Sequence, residues 1–147
     1  MIAEILAAIG KNQEYDVLDM TPKVSFTTPA KNAPIEKTKE GEMFKLFSAY
    51  EHDRRIKSDG SLLAGTHVTT VTDAENVRSG KQAVSRYSLP NHKPASYVFT
   101  IKPHKNTAIQ RGIVEPTDHQ PGGGHEVIFA EDTQPGTVTG PEKIADE

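Results

Sequence analysis

The chain has 147 residues, 35% of them hydrophobic and only 6% aromatic, and a formal net charge of −3. That charge argues against a broad electrostatic grip on nucleic acid, and the lack of any cysteine excludes disulfides and thiolate metal sites. The length suits one domain with a leader, and no apolar run approaches the ~18–20 residues that cross a bilayer.

Residues 2–9 put Ile2, Ile5, Leu6 and Ile9 on one helical stripe, which Gly10 would stop. The run contains Glu4 and lacks a basic start, so it does not read as a secretory signal; any export address would lie on a longer parent chain. From Lys11 to Gly41 the periodicity is lost while Pro22, Pro29 and Pro34 recur. Residues 1–41 therefore read as a largely irregular leader, with at most a short extended piece at Val24-Ser25-Phe26, joined to a module spanning 42–147.

The module opens with Met43–Tyr50, whose aromatic content and length predict a buried strand. A charged stretch from Glu51 ends in the turn signal Asp59-Gly60. In the β-branched run Gly65–Val71, a strand would put His67, Thr69 and Val71 on one face and Thr66, Val68 and Thr70 on the other. Thr72 or Asp73 then caps a helix through Arg78, interrupted at Ser79-Gly80, resumed through Ala83–Tyr87 and ended at Leu89-Pro90. Three further strands follow: Ser96–Lys102 with Tyr97, Phe99 and Ile101 on one face, Thr107–Val114, and His125–Ala130. Gly112 inside the second signals a bulge or a close approach of backbone. Gly136–Gly140 forms a last short edge strand before a polar tail. The sum is an α+β module with a small, mainly antiparallel sheet and one interrupted helix.

The most distinctive stretch is Gln120-Pro121-Gly122-Gly123-Gly124-His125-Glu126, where three glycines lead into a strand that begins with a histidine and a glutamate. Three glycines allow backbone to approach a ligand closely, at an entropic cost to folding. They are not a triphosphate-binding loop, for no Lys-Ser/Thr follows, and no Gly-x-Ser-x-Gly elbow offers a nucleophile. Among the six histidines, His119 and His125 flank the loop and with Asp118 and Glu126 could hold zinc; no ligand-spacing motif supports it, and no metal is expected.

Two chemistries remain open. A carboxylate opening a strand, as Glu126 does, can stabilise an oxocarbenium-like transition state, the kind through which the nicotinamide–ribose bond of NAD breaks. Arg54 or Arg55 would then hold the pyrophosphate, and His67 with Thr69 or Thr70 would line the nicotinamide side. Alternatively, His67 and His125 with Arg54, Arg55 and Lys57 have the functional groups for metal-free cleavage of RNA. A third possibility is a non-enzymatic binding module whose glycine loop is a recognition loop.

The order of Gly-Thr-x-Val-Thr-Thr (65–70), Ala-Val-x-x-Tyr-x-Leu-Pro (83–90), Tyr-Val-Phe-x-Ile-x-Pro (97–103), Gly-x-Val-x-Pro (112–116) and Gln-Pro-Gly-Gly-Gly-x-Glu (120–126) resembles the C-terminal toxin domains of bacterial polymorphic and contact-dependent toxins. Within these it is similar to the ADP-ribosyltransferase-like and TNT-type NAD-glycohydrolase domains, over roughly Phe44 to Pro141. The resemblance implies a split antiparallel sheet around a cleft that takes NAD as substrate. It also implies an arginine for phosphate early in the domain and a glutamate or glutamine after the glycine loop. Glu126 matches the last role. The family's arginine falls where this chain has Ser48, so Arg54 or Arg55 would substitute. Glu126 and His67 with Arg54 are thus the expected catalytic residues, and Arg55, Thr69, Thr70, Gln120, Gly122, Gly123 and Gly124 the expected NAD-binding ones. The resemblance further implies export on a larger delivery protein, action in a target-cell cytoplasm, a cognate immunity protein and, for a transferase, a macromolecular acceptor.

Overall fold

A computed structural model of the chain describes residues 28–89, 94–116 and 120–145. The predicted helical stripe at 2–9 and the extended piece at Val24–Phe26 lie outside the described residues. Seven strands form one antiparallel sheet: β1 (Glu36–Lys37), β2 (Phe44–Ser48), β3 (His67–Thr70), β4 (Tyr97–Ile101), β5 (Ala108–Ile113), β6 (His125–Phe129) and β7 (Val138–Lys143), in the order β1-β5-β6-β3-β2-β4-β7. Two short helices, α1 (Val71–Ala74) and α2 (Gly80–Tyr87), follow β3. The α+β class with an antiparallel sheet is therefore as expected from sequence.

Strand alternation builds the core. Phe44 and Leu46 of β2, Val68 of β3, Phe99 and Ile101 of β4, Ile109 of β5, and Val127 and Phe129 of β6 share one face and, with Leu62, form a single buried cluster. Phe44 and Phe129 meet edge to face with ring centroids 5.7 Å apart. The Arg111 guanidinium lies 5.7 Å over the Phe44 ring and is bonded to Glu36 and Glu42, which ties β5 to β1 at this end of the core. On the other face, Phe47, Ala83, Tyr87, Ala95 and Val114 form a second, smaller cluster beneath α2.

β3 holds the sheet together at its narrowest place. His67 and Val68 pair with Ile128 and Val127 of β6, whereas Thr69 and Thr70 pair with Lys45 and Phe44 of β2. Four residues thus join two half-sheets, which is a split sheet in physical form.

Three local departures from the sequence reading have clear causes. The cap of α1 is Thr70, whose hydroxyl accepts from the Asp73 amide, and not Thr72 or Asp73. Asp73 is the buried partner of Arg86 and Tyr87, so its carboxylate is not available as a cap. β7 continues through Pro141 to Lys143, beyond the expected end at Gly140. It is an edge strand with a register shift opposite Val98–Thr100, where a missing proline N–H leaves no ladder bond broken. Finally, residues 28–37 lie on the sheet. β1 pairs with β5, and a 3-10 turn at Ala30–Asn32 packs over Gly112, where an added Cβ would stand 2.3 Å from the Thr28 carbonyl oxygen. The close approach predicted at Gly112 is to this segment.

Candidate functional site

The cleft lies on the face of the sheet that carries α2. Its floor comes from alternate residues of the central strands: Lys45 and Phe47 from β2, His67 and Thr69 from β3, Glu126 from β6. Its walls are the end of α2 with Ser88 and Leu89, the Val114-Glu115 corner after β5, and Pro29 and Lys31 of the N-terminal segment. It encloses about 450 Å³, the size of a small-molecule site with an apolar wall and a few polar groups.

Glu126 and His67 meet there. Continuing the β3–β6 register by one residue sets Glu126 beside Thr69, which puts its side chain on the His67 face. His67 Nδ1 stands 2.9 Å from Glu126 Oε2, the ring N–H donating to the carboxylate. The Glu126 side chain is 15% exposed and that of His67 56%, so the carboxylate is set back in the cleft and the imidazole at its mouth. With its proton on Nδ1, a neutral ring keeps Nε2 as an acceptor. Lys45 pairs with Thr69 across β2–β3, so Lys45, Thr69 and Glu126 lie in one row across three strands. At two strand spacings, cation and carboxylate backbones are about 10 Å apart.

Arg55 supplies the second cation. It lies in the polar stretch after β2, and its side chain is aimed by a buried acid. Asp53 Oδ1 accepts from Arg55 Nε at 2.8 Å and from the Arg55 amide at 2.9 Å, while Asp53 Oδ2 accepts from Arg55 Nη2 at 2.6 Å and from the Ser48 hydroxyl at 2.6 Å. Burial pushes the Asp53 carboxyl up, but the bonds from Arg55 and Ser48 outweigh it and bring it down to about 2. A third cation, Lys31, stands at the rim in an ion pair with Glu115 at 3.2 Å.

Behind the cleft wall lies a second buried acid. Asp73 receives both arms of the Arg86 guanidinium, at 2.7 and 3.0 Å, and the Tyr87 hydroxyl at 2.8 Å. Burial works against its charge, yet Arg86 and Tyr87 together hold its carboxyl below the usual range, while burial pushes the Tyr87 phenol well up. Tyr87 in turn stacks on Phe47, centroids 5.5 Å apart and planes 20° from parallel. The Thr69 hydroxyl donates to the His125 carbonyl at 2.7 Å, pinning β3 to β6 just where Glu126 begins.

The glycine loop packs closely within the protein. The amides of Gly122, Gly123 and Gly124 donate to the carbonyls of Ser85, Val114 and Arg86, so all three are used within the protein. Gly122 has φ of 67° and an added Cβ there would meet the Val114 carbonyl oxygen at 2.7 Å; one on Gly124 would meet the Tyr87 ring at 2.6 Å. The glycines let the loop press against α2 and β5, and so set the position of Glu126 from behind.

Of the residues singled out from sequence, Glu126, His67, Arg55 and Thr69 line one cleft. Arg54 is exposed and lies outside that lining, Thr70 caps α1, and Gln120 and the three glycines do not line it. His125 does not join His67 there; its ring is 3.8 Å from Asp73. Among the described residues no three His, Asp or Glu side chains converge as a metal site would need; Asp118 and His119 lie outside the described residues. Sequence reasoning passed over Lys45, Asp53 and Tyr87. Lys45 did leave a signal, being the one charge inside an otherwise apolar strand. Asp53 left none.

No family model matches the sequence, and no curated protein matches it either. Two solved structures share the fold. Tne2, in its complex with Tni2, superposes with a TM-score of 0.58 at 19% identity, over 79% of this chain and 95% of that one. Rhs1-CT, in complex with its cognate immunity protein RhsI1, does so with a TM-score of 0.53 at 14% identity, over 76% of this chain and 81% of that one.

Proposed function

We propose that this chain is a bacterial toxin domain that cleaves the nicotinamide–ribose bond of NAD and is held in check by a cognate immunity protein. The observation that carries the chemistry is the Glu126 carboxylate, held by His67 in a cleft that also takes Lys45 and Arg55. The likeness of fold to Rhs1-CT, whose partner is an immunity protein, supports the toxin class.

In this reading the pyrophosphate of NAD sits against Lys45 and Arg55, and the apolar wall of Phe47, Tyr87, Leu89 and Val114 takes the flat nicotinamide ring. The bond from ribose C1′ to the ring nitrogen breaks with its electron pair going to nitrogen, which neutralises the pyridinium. Positive charge then develops at C1′, and the Glu126 carboxylate beside it stabilises that charge or accepts from a ribose hydroxyl. A preorganised group of this kind is worth about 3–4 kcal/mol of barrier. A water molecule or an acceptor nucleophile attacks C1′ and passes its proton to His67 Nε2. The products are nicotinamide and either ADP-ribose or its adduct. The cytoplasm of a target cell is the compartment that offers such a toxin its NAD.

The test incubates purified protein with NAD and, separately, with total tRNA, comparing wild type with Glu126→Gln and His67→Ala. Loss of NAD with wild type, reduced about 10²–10³-fold by Glu126→Gln, is the expected result. Intact NAD beside degraded tRNA overturns this reading in favour of ribonuclease chemistry; both substrates intact would favour a binding module.

A further inference from the structure

Asp53 is a costly residue to keep. Its carboxylate is only 4% exposed, and an ionised acid taken out of water loses several kcal/mol of hydration that its partners must restore. Replacing a buried ion pair by well-packed apolar side chains is often neutral or even stabilising. What Asp53 does have is a geometry that an apolar residue lacks. One oxygen takes the Arg55 amide and Nε, the other takes Nη2 and the Ser48 hydroxyl. The Ser48 hydroxyl also accepts from the Tyr50 amide. The chain of bonds starts at the buried end of β2 and ends on a guanidinium that is 40% exposed and lines the cleft.

A bidentate pair fixes the plane of the guanidinium as well as its position. Asp53 engages Nε–H and one N–H of Nη2, which leaves the N–H groups of Nη1 without a hydrogen-bond partner among the described residues on a side chain that lines the cleft. Arg54, one residue earlier in the same polar stretch, has no such anchor and stays exposed outside the cleft.

We infer that Asp53 is a positioning residue: through the fork on Arg55, and with Ser48 behind it, it presents the outer edge of that guanidinium as a preformed subsite for the pyrophosphate of a dinucleotide. This rests on the NAD-cleaving reading for its ligand, but the subsite is testable without turnover. Because Arg55 would hold substrate and transition state alike, its misplacement should weaken binding and spare the chemical step.

The experiment has two arms. In the first, calorimetry measures binding of inorganic pyrophosphate to wild type, Asp53→Asn and Arg55→Lys. Asparagine keeps the shape of the acid but loses the paired acceptors, and lysine keeps the charge but has no fork. Both are expected to bind pyrophosphate about tenfold more weakly than wild type. In the second arm, NAD cleavage is followed as a function of NAD concentration. KM should rise about tenfold in Asp53→Asn with kcat, and its dependence on pH, kept within about twofold. Pyrophosphate bound equally by wild type and Asp53→Asn, or by no protein at all, overturns the inference, and so does a fall in kcat at unchanged KM. If Asp53→Asn fails to fold, Arg55→Lys decides by the same pyrophosphate measurement, equal binding again counting against. Should pyrophosphate binding be lost as expected while NAD stays intact with wild type, the subsite stands and the NAD reading falls.

Discussion

The two faces of the sheet are built from the same strands and have opposite characters. On one face Phe44, Leu46, Val68, Val127 and Phe129 pack into an unbroken apolar cluster. On the other, one residue over in each strand, Lys45, Thr69, His67 and Glu126 surround a cleft. A period of two along a strand makes such a division possible with no extra layer: β2, β3 and β6 each contribute to the core on one side and to the cleft on the other. Two buried acids, Asp53 and Asp73, are each tied to an arginine. Stability and function should therefore separate by face, and substitutions can test that.

The largest effect is expected on the apolar face. Phe129→Ala removes a fully buried ring that meets Phe44 edge to face and should cost about 3–5 kcal/mol in urea unfolding. Equal midpoints for wild type and variant would mean that the core does not depend on this contact. Next comes Glu126→Ala, which should lower NAD cleavage about 10²–10³-fold while shifting the unfolding midpoint little. A matching loss of stability would show that the two faces are not separable. Gly112→Ala probes the seam between sheet and N-terminal segment. The added methyl meets backbone at 2.3 Å, and thermal melts should show a loss of about 1–3 kcal/mol.

Acid offers a fourth test. The Asp53 carboxyl lies at about 2 in the folded chain against 3.8 as a free side chain. A depressed folded value means that its contribution is complete above the unfolded value and is lost as pH falls through the folded one. About 2 kcal/mol should thus disappear between about pH 4 and pH 2, and the difference between wild type and Asp53→Asn should narrow over that window. A constant difference would show that the acid's charge is not what Arg55 and Ser48 stabilise. The smallest effect belongs to the rim. Lys31 and Glu115 form an exposed pair at 3.2 Å, so Lys31→Ala should change stability by less than about 1 kcal/mol. A larger loss would make that pair a structural tie between the N-terminal segment and β5.

Much of this was legible along the chain because it depends on near neighbours. Alternation in Tyr97–Ile101 and the apolar run after the glycine loop at His125–Phe129 marked strands, and alternation placed His67 and Thr69 on one face. Ser79-Gly80 marked the break between helices, where Ser79 indeed accepts from the Gln82 amide. The glycines of 122–124 precede Glu126 along the chain, and in the fold they allow loop, helix and strand to close together behind it.

What the chain by itself determined is strands β2 to β7, the faces of β3 and β4, and Glu126 as the acid near the start of β6. Only the tertiary structure decided which groups meet. Arg54 and Arg55 are adjacent and chemically equal, yet only Arg55 lines the cleft, and it is Arg55 that Asp53 holds, with Ser48 behind it. Thr72 and Asp73 are good caps by composition, but Asp73 was taken by Arg86 and Tyr87, more than a dozen residues on. Local patterns fix how a strand or helix presents its side chains, because backbone geometry sets their spacing. Pairings between buried charges are fixed only when distant segments have already been brought together, since it is desolvation that makes one partner so much better than the next.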